Sequence, residues 1–192
     1  MEKLLKAIYF ATSKHINQKR KDKLTPYISH PLAVAVILSR VTTNKDIIIA
    51  GILHDVIEDS DATKEQIEEL FGSRVARMVV DCSEEDKSLC WEKRKHEVLK
   101  KISRLSDNSS LVKTADILHN TYDSVQGLKK AGVSYFENFN ASVIDKFSYE
   151  RERLEKFKKH HPNNKLIGVI ENYLMLIEKA VGQETENATK RK

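Results

Sequence analysis

A chain of 192 residues, 40% hydrophobic and 32% charged with six glycines and three prolines, has the composition of a soluble protein with few breaks between helices, and its length suits one domain. The net charge of +5 and pI near 9.0 come from Lys and Arg interleaved with Asp and Glu, so no nucleic-acid surface is expected, only a local basic rim suited to nucleotide phosphates. No apolar run nears the roughly 20 residues of a membrane span, and Cys82 and Cys90, without a CxxC pairing or a secretory leader, are expected as reduced thiols of a cytoplasmic protein, where the Asn187-Ala188-Thr189 sequon stays unused.

Residues 2–17 place Leu4, Leu5, Ile8, Ala11, Thr12 and His15 at three- and four-residue spacings, which predicts an amphipathic helix. The basic run 18–23 has the composition of a solvated loop. Within 26–32, Pro31 disfavours the α region for its predecessor and suits a first helical position, so a helix PLAVAVILSR is expected with His30 at its mouth. A histidine there either caps or packs, or presents a ring nitrogen to a metal.

Residues 46–60, DIIIAGILHDVIEDS, read as one central helix capped by Asn44 or Thr43. At about 100° per residue, His54, Asp55, Glu58 and Asp59 share one sector of its wheel, while isoleucines, leucine, valine and alanine cover nearly every other direction. Carboxylates in so apolar a helix cost several kcal/mol each unless paired or bound to a cation. The alternative is a buried helix emerging into water with its acids solvated, and the choice turns on matching residues elsewhere.

Thr63 and Gln66 fit a capping box, and Gly72 fits a helix stop. Residues 73–82 predict a helix with Val75, Met78, Val79 and Cys82 inward, followed by a polar loop, 84–90, placed to act as a lid. A basic amphipathic helix is expected over 91–105, with Arg94 and Lys95 either solvated or leaning over a phosphate site. After a loop and N-cap at 106–109, the helix 110–126 carries Asp116, Asn120 and Asp123 at i, i+4 and i+7, a polar stripe beside Leu111, Val112, Ala115 and Leu118 that needs partners if buried. Residues 133–160 read as one long charged helix ended by Pro162, residues 165–180 as a last helix, and 182–192 as a disordered tail. The domain is thus drawn as 1–181, with a core over 2–127 and C-terminal helices over 133–181. The sequence shows no internal repeat.

His30, the His54-Asp55 pair and Asp116 form the ligand pattern of the HD metal-dependent phosphohydrolases. The flanking words YISHPLAVA, LHDVIEDS, FGSRVA and LVKTADILHN resemble the hydrolase domain of the RelA/SpoT alarmone family and its stand-alone small hydrolases, over about residues 5–125. The resemblance implies an all-α HD-domain helical bundle in which His30, His54, Asp55 and Asp116 bind one Mn²⁺. Two imidazoles and two carboxylates without a thiolate also suit Mn²⁺ or Fe²⁺ better than a structural zinc. Between the HD pair and Asp116 the chain has only His96, which favours one metal over two.

By the same resemblance, Glu58 and Asp59 orient or deprotonate the attacking water, Arg20 and Lys21 contact base or phosphates, and Asn120 contacts the nucleotide. The chain departs from its relatives at Thr121-Tyr122-Asp123, where they usually carry an arginine, and after residue 127, where the usual continuation stops. The expected activity is Mn²⁺-dependent removal of the 3′-pyrophosphate of guanosine tetraphosphate, ppGpp, or a related nucleotide. The alternatives are an HD phosphohydrolase for a nucleoside monophosphate or dinucleotide cofactor phosphate, and a regulatory module that binds a nucleotide without turnover. The intact ligand set with Glu58 and Asp59 argues against the last, because a pure binder needs no water-activating pair.

Overall fold

The chain is all-α, and its computed structural model describes residues 1–84, 90–138 and 142–190. Most of the expected 84–90 loop therefore lies outside the described residues. Two compact units divide the chain, Met1–Asp116 and Ile117–Lys192, with the boundary inside a helix.

The first unit holds α1 (Glu2–Lys14), α2 (Ser29–Ser39), α3 (Lys45–Leu53), the short α4 (Val56–Asp59), α5 (Lys64–Phe71), α6 (Ser73–Cys82), α7 (Trp91–Ile102) and the start of α8 (Asp107–Ala131). Helix α3 packs against α1, α2 and α6, which is why it is apolar around its girth: Ile47, Ile49, Ala50, Ile52 and Leu53 are all buried. Leu38, Ile67, Phe71, Val75 and Val79 extend that core. The ends of the helices follow local chemistry. Asn44 caps α3 through Asp46 N–H, Thr63 and Gln66 form the reciprocal capping box of α5, and the Ser106 hydroxyl accepts Ser109 N–H at the start of α8.

Two starts and stops differ from the sequence-based expectation. Helix α2 begins at Ser29, so His30 lies inside its first turn rather than before it. The chain enters through Ser29 N–H to Pro26 C=O at 3.1 Å and His30 N–H to Tyr27 C=O at 2.9 Å, and Pro31 falls among the first-turn positions whose N–H has no helical acceptor. The central helix is not continuous: it breaks at His54-Asp55 into α3 and α4. The His54 ring Nδ1 donates to Gly51 C=O at 2.8 Å, and that carbonyl is the one an unbroken helix would offer to Asp55 N–H.

The second unit comprises the rest of α8, a 3-10 turn (Gly132–Asn138), α9 (Val143–His160) and α10 (Ile167–Lys190). Helix α8 ends at Gly132, whose φ of 63° is open to glycine without strain. Helices α9 and α10 pack together with Phe147, Leu154, Phe157, Ile170, Leu174 and Ile177 buried, and the pairs Arg151–Glu178 and Lys158–Glu171 set them antiparallel. The single long helix expected over 133–160 is therefore two elements, because Ser142 caps α9 by accepting Asp145 N–H. Where a disordered tail was expected from residue 182, α10 runs on to Lys190, over a stretch in which Gln183, Glu184, Glu186 and Ala188 favour helix.

Candidate metal centre

Three helices bring the chemistry together. The first turn of α2 supplies His30, the α3–α4 break supplies His54 and Asp55, and α8 supplies Asp116. His30 Nε2 lies 3.2 Å from His54 Nε2, 3.3 Å from Asp116 Oδ1 and 3.5 Å from Asp55 Oδ2, and His54 Nε2 lies 3.0 Å from Asp55 Oδ2 and 3.8 Å from Asp116 Oδ1. His30, His54 and Asp116 are buried, and the Asp55 side chain is nearly so. With Nδ1 of His54 committed to the Gly51 carbonyl, its Nε2 is the atom that faces the cluster.

The electrostatics are those of a cation site. Burial works to raise the Asp55 and Asp116 carboxyls, but His54 beside Asp55, and Lys113 and His30 beside Asp116, hold both well below the ordinary carboxylate range. Burial likewise opposes charge on His54, yet the Asp55 carboxylate outweighs it and lifts the ring to about 9. His30 moves the other way, kept neutral by burial. Two ionised carboxylates thus stand 3.0–3.8 Å from two imidazole nitrogens that are themselves 3.2 Å apart. Ligands sharing one ion at roughly 2.0–2.2 Å stand about 3–3.5 Å from one another. The donor set fits a divalent metal.

A second layer of groups orients these side chains. The Tyr27 hydroxyl donates to Asp55 Oδ2 at 2.7 Å and reaches Asp59 Oδ2 at 3.3 Å; burial and the nearby Asp55 charge raise its pKa, so it remains a donor. Lys113 Nζ holds the other oxygen of Asp116 at 3.1 Å and caps α6 through Cys82 C=O at 3.0 Å. His15 pairs with the Gln18 side-chain carbonyl at 2.7 Å, and the Gln18 amide donates to Asp59 C=O at 2.5 Å. Neither Tyr27 nor Lys113 was singled out from the sequence. Lys113 had a legible signal, a cation one helical turn before Asp116.

The remaining expected residues divide. Glu58 is buried enough to push its carboxyl up despite Lys113, and its Oε2 accepts the Glu84 N–H at 3.2 Å. Asp59 faces the Tyr27 hydroxyl. The solvated loop expected over 18–23 is an ordered turn with residues 19 and 21–23 exposed: Arg20 N–H bonds Thr25 C=O, Tyr27 N–H bonds Gln18 C=O, both at 2.9 Å, and Asp22 accepts from Leu24 N–H, Thr25 N–H and the Thr25 hydroxyl. This sets the Arg20 guanidinium over the Tyr27 ring at 5.6 Å. Lys21 is exposed overall, while partial desolvation of its ammonium, then the Arg20 and Lys95 charges, lowers it to about 8. Of the α8 stripe only Asp116 is buried; Asn120 and Asp123 belong to the second unit, Asn120 exposed and Asp123 within 3.7 Å of His119 Nδ1.

Among the described residues no helix is long and apolar enough to cross a membrane. The HD domain family matches residues 7–124. The chain is 36% identical over 164 residues to guanosine-3′,5′-bis(diphosphate) 3′-pyrophosphohydrolase MESH1 of Homo sapiens, covering 82% of this chain and 91% of that protein. It is 43% identical over 123 residues to the Danio rerio protein of the same name, covering 62% and 68%. A solved structure of a metazoan ortholog of SpoT that hydrolyzes ppGpp and plays a role in starvation responses superposes with a TM-score of 0.76 at 28% identity, over 95% of this chain and 97% of that one.

Proposed function

The chain belongs to the HD-domain family, and from that premise we propose that it is a metal-dependent hydrolase that removes the 3′-pyrophosphate of ppGpp, giving guanosine diphosphate and pyrophosphate. The observation that carries this reading is the cluster of His30, His54 and Asp116, with Asp55 Oδ2 3.0 Å from His54 Nε2, in a chain that matches pyrophosphohydrolases along most of its length. One Mn²⁺ per chain is the proposed occupant, with Fe²⁺ the nearest substitute, because imidazole and carboxylate without thiolate suit those ions. When bound, the ion supplies Lewis acidity to a phosphate oxygen and acidifies water toward neutral pH.

The chain's own residues do the rest. Glu58, raised by burial, and Asp59, held by Tyr27, are carboxylates fit to take the proton that water loses as it adds to the phosphorus beside the ribose 3′ oxygen. That P–O bond breaks, the 3′ oxygen gains a proton, and pyrophosphate leaves. Arg20 presents a planar guanidinium beside the centre, suited to stacking on a purine, and Lys21 a point charge for base or phosphate. The two free thiols agree with a cytoplasmic setting.

The test is incubation with Mn²⁺ and ppGpp, with nucleotide and inorganic products resolved by chromatography. Guanosine diphosphate with stoichiometric pyrophosphate is expected. Orthophosphate alone, or an untouched ppGpp while another nucleotide is consumed, would overturn the assignment.

A further inference from the structure

His15 is a buried histidine that the reaction above leaves unused, and one of its ring nitrogens has no partner. It caps the end of α1, 1% exposed, with its ring 5.0 Å from that of Tyr27, yet its Nε2 makes no hydrogen bond among the described residues. An unpaired buried polar atom costs free energy that an apolar side chain of similar size avoids, so packing alone does not account for a histidine here. Its use must lie at Nδ1.

The direction of the bonds that start there is fixed at their far end. The Asp59 backbone oxygen can only accept, so the Gln18 group 2.5 Å from it is the amide NH₂; the Gln18 side-chain carbonyl then faces His15, and Nδ1, 2.7 Å away, carries the proton. Asp59 is the last residue of α4, where a carbonyl finds no N–H of its own helix, and the Gln18 amide supplies one. Gln18 is itself pinned, its N–H donating to His15 C=O at 3.0 Å and its C=O accepting Tyr27 N–H at 2.9 Å. One side chain thus ties the end of α1 to the residue that carries the Asp59 carboxylate, and its backbone ties the tyrosine whose hydroxyl reaches that carboxylate at 3.3 Å. A second tie runs from the same end of α1, Lys14 Nζ to Asp61 Oδ1 at 2.7 Å, but the Asp61 side chain is 84% exposed and the pair faces solvent.

We propose that His15 and Gln18 are positioning residues for the hydrolysis: the His15 Nδ1–H holds the Gln18 amide, the amide holds the Asp59 carbonyl, and the Asp59 carboxylate is thereby kept where it meets the attacking water. This rests on the hydrolase reading above and on the role that reading gives Asp59. Other side chains hold the ion and the nucleotide, so the effect falls on kcat and not on KM or metal retention.

The test is a double-variant cycle on the metal-loaded protein with ppGpp. His15→Phe, which keeps a ring against Tyr27 but no donor, and Gln18→Met, of similar length, should each lower kcat about tenfold with KM and Mn²⁺ content unchanged. His15→Asn, whose amide can donate from the place of Nδ1, should restore kcat to within about threefold of wild type. Lys14→Met, which cuts the exposed tie alone, should leave kcat unchanged. In the Asp59→Asn background, His15→Phe and Gln18→Met should cost no further turnover, because the group they place is already gone. An equal fall in both backgrounds, or an unchanged kcat in both single variants, would overturn the proposal and leave His15 and Gln18 as packing at the end of α1. A readout free of turnover separates this from the substrate assignment. Exchange of the Gln18 Nε2 protons with solvent, followed by ¹⁵N magnetic resonance, should be slowed in the wild type and quicken about tenfold in His15→Phe; equal rates in both would break the link whatever the substrate. If ppGpp is untouched while another nucleotide is consumed, the substrate assignment falls and the same cycle, run with that nucleotide, decides the positioning role.

Discussion

Replacing Tyr27 by Phe removes one oxygen and leaves the ring that packs against His15 at 5.0 Å, His30 at 5.8 Å and the Arg20 guanidinium at 5.6 Å. What is lost is the 2.7 Å hydrogen bond to Asp55 Oδ2 and the weaker 3.3 Å reach to Asp59. A hydrogen bond to a charged group contributes about 1.5–3 kcal/mol, and at about 1.4 kcal/mol per decade that is a factor of roughly 10–100. Groups that orient a metal ligand from behind carry the same range in metal affinity. The expected result is Mn²⁺ bound about 10–100-fold more weakly in a competition titration against a chelator, with the far-ultraviolet helical signal retained. Tyr27→Leu, which also removes the surface beneath Arg20, should in addition raise KM for the nucleotide. Metal affinity in Tyr27→Phe within twofold of wild type would refute the role given to the hydroxyl.

His54→Ala and Asp116→Ala should each abolish metal retention, measured by elemental analysis, while keeping the helical signal; full occupancy in both would remove the centre. Glu58→Gln and Asp59→Asn should keep the ion and lose turnover by roughly 10²-fold, the usual scale for a general base, and unchanged kcat in both would reduce them to helix-end residues. In the chelator-treated chain the His54 pKa stands at about 9, above the ordinary 6.5, so its protonation stabilises the fold fully below about pH 6.5 and that stabilisation is lost as pH rises through about 9. Thermal melts should show a loss on the order of 1–3 kcal/mol across that window, which Mn²⁺ removes by taking the proton's place, and identical pH profiles with and without metal would count against it.

The sequence carried the candidate ligands but not their spatial arrangement. His54, Asp55 and Asp116 were legible because ionisable groups in apolar helices demand partners, His30 joined them through the resemblance to the HD phosphohydrolases, and the four side chains lie together in the structure. Helical periodicity could not show that His54 and Asp55 sit at a break, since a 3.6-residue wheel assumes the continuity that the His54 ring disrupts through its bond to Gly51. Tyr27 was hidden for a different reason: its partner lies 28 residues away, and nothing local distinguishes a core tyrosine from one that holds a carboxylate. The cap at Ser142, by contrast, had a local signature in Ser142 and Asp145 at three-residue spacing, which the charged composition of 133–160 masked.

Two departures from ideal helix geometry account for where the site forms. At Gly51 a Cβ would come within 2.4 Å of Leu38 Cδ1, so a larger residue there would have to displace the buried Leu38 side chain where α2 and α3 approach. That approach brings His30 and His54, one from each helix, to 3.2 Å between their Nε2 atoms. The same glycine's carbonyl then takes the His54 ring proton, which fixes the tautomer and competes for the acceptor that Asp55 N–H would use. At that interruption the adjacent His54 and Asp55 place their candidate ligand atoms 3.0 Å apart. A glycine and a local interruption cost helix stability of about 1 kcal/mol, and the buried carboxylates more, so the arrangement persists because the surrounding α1, α2 and α6 packing over-determines it.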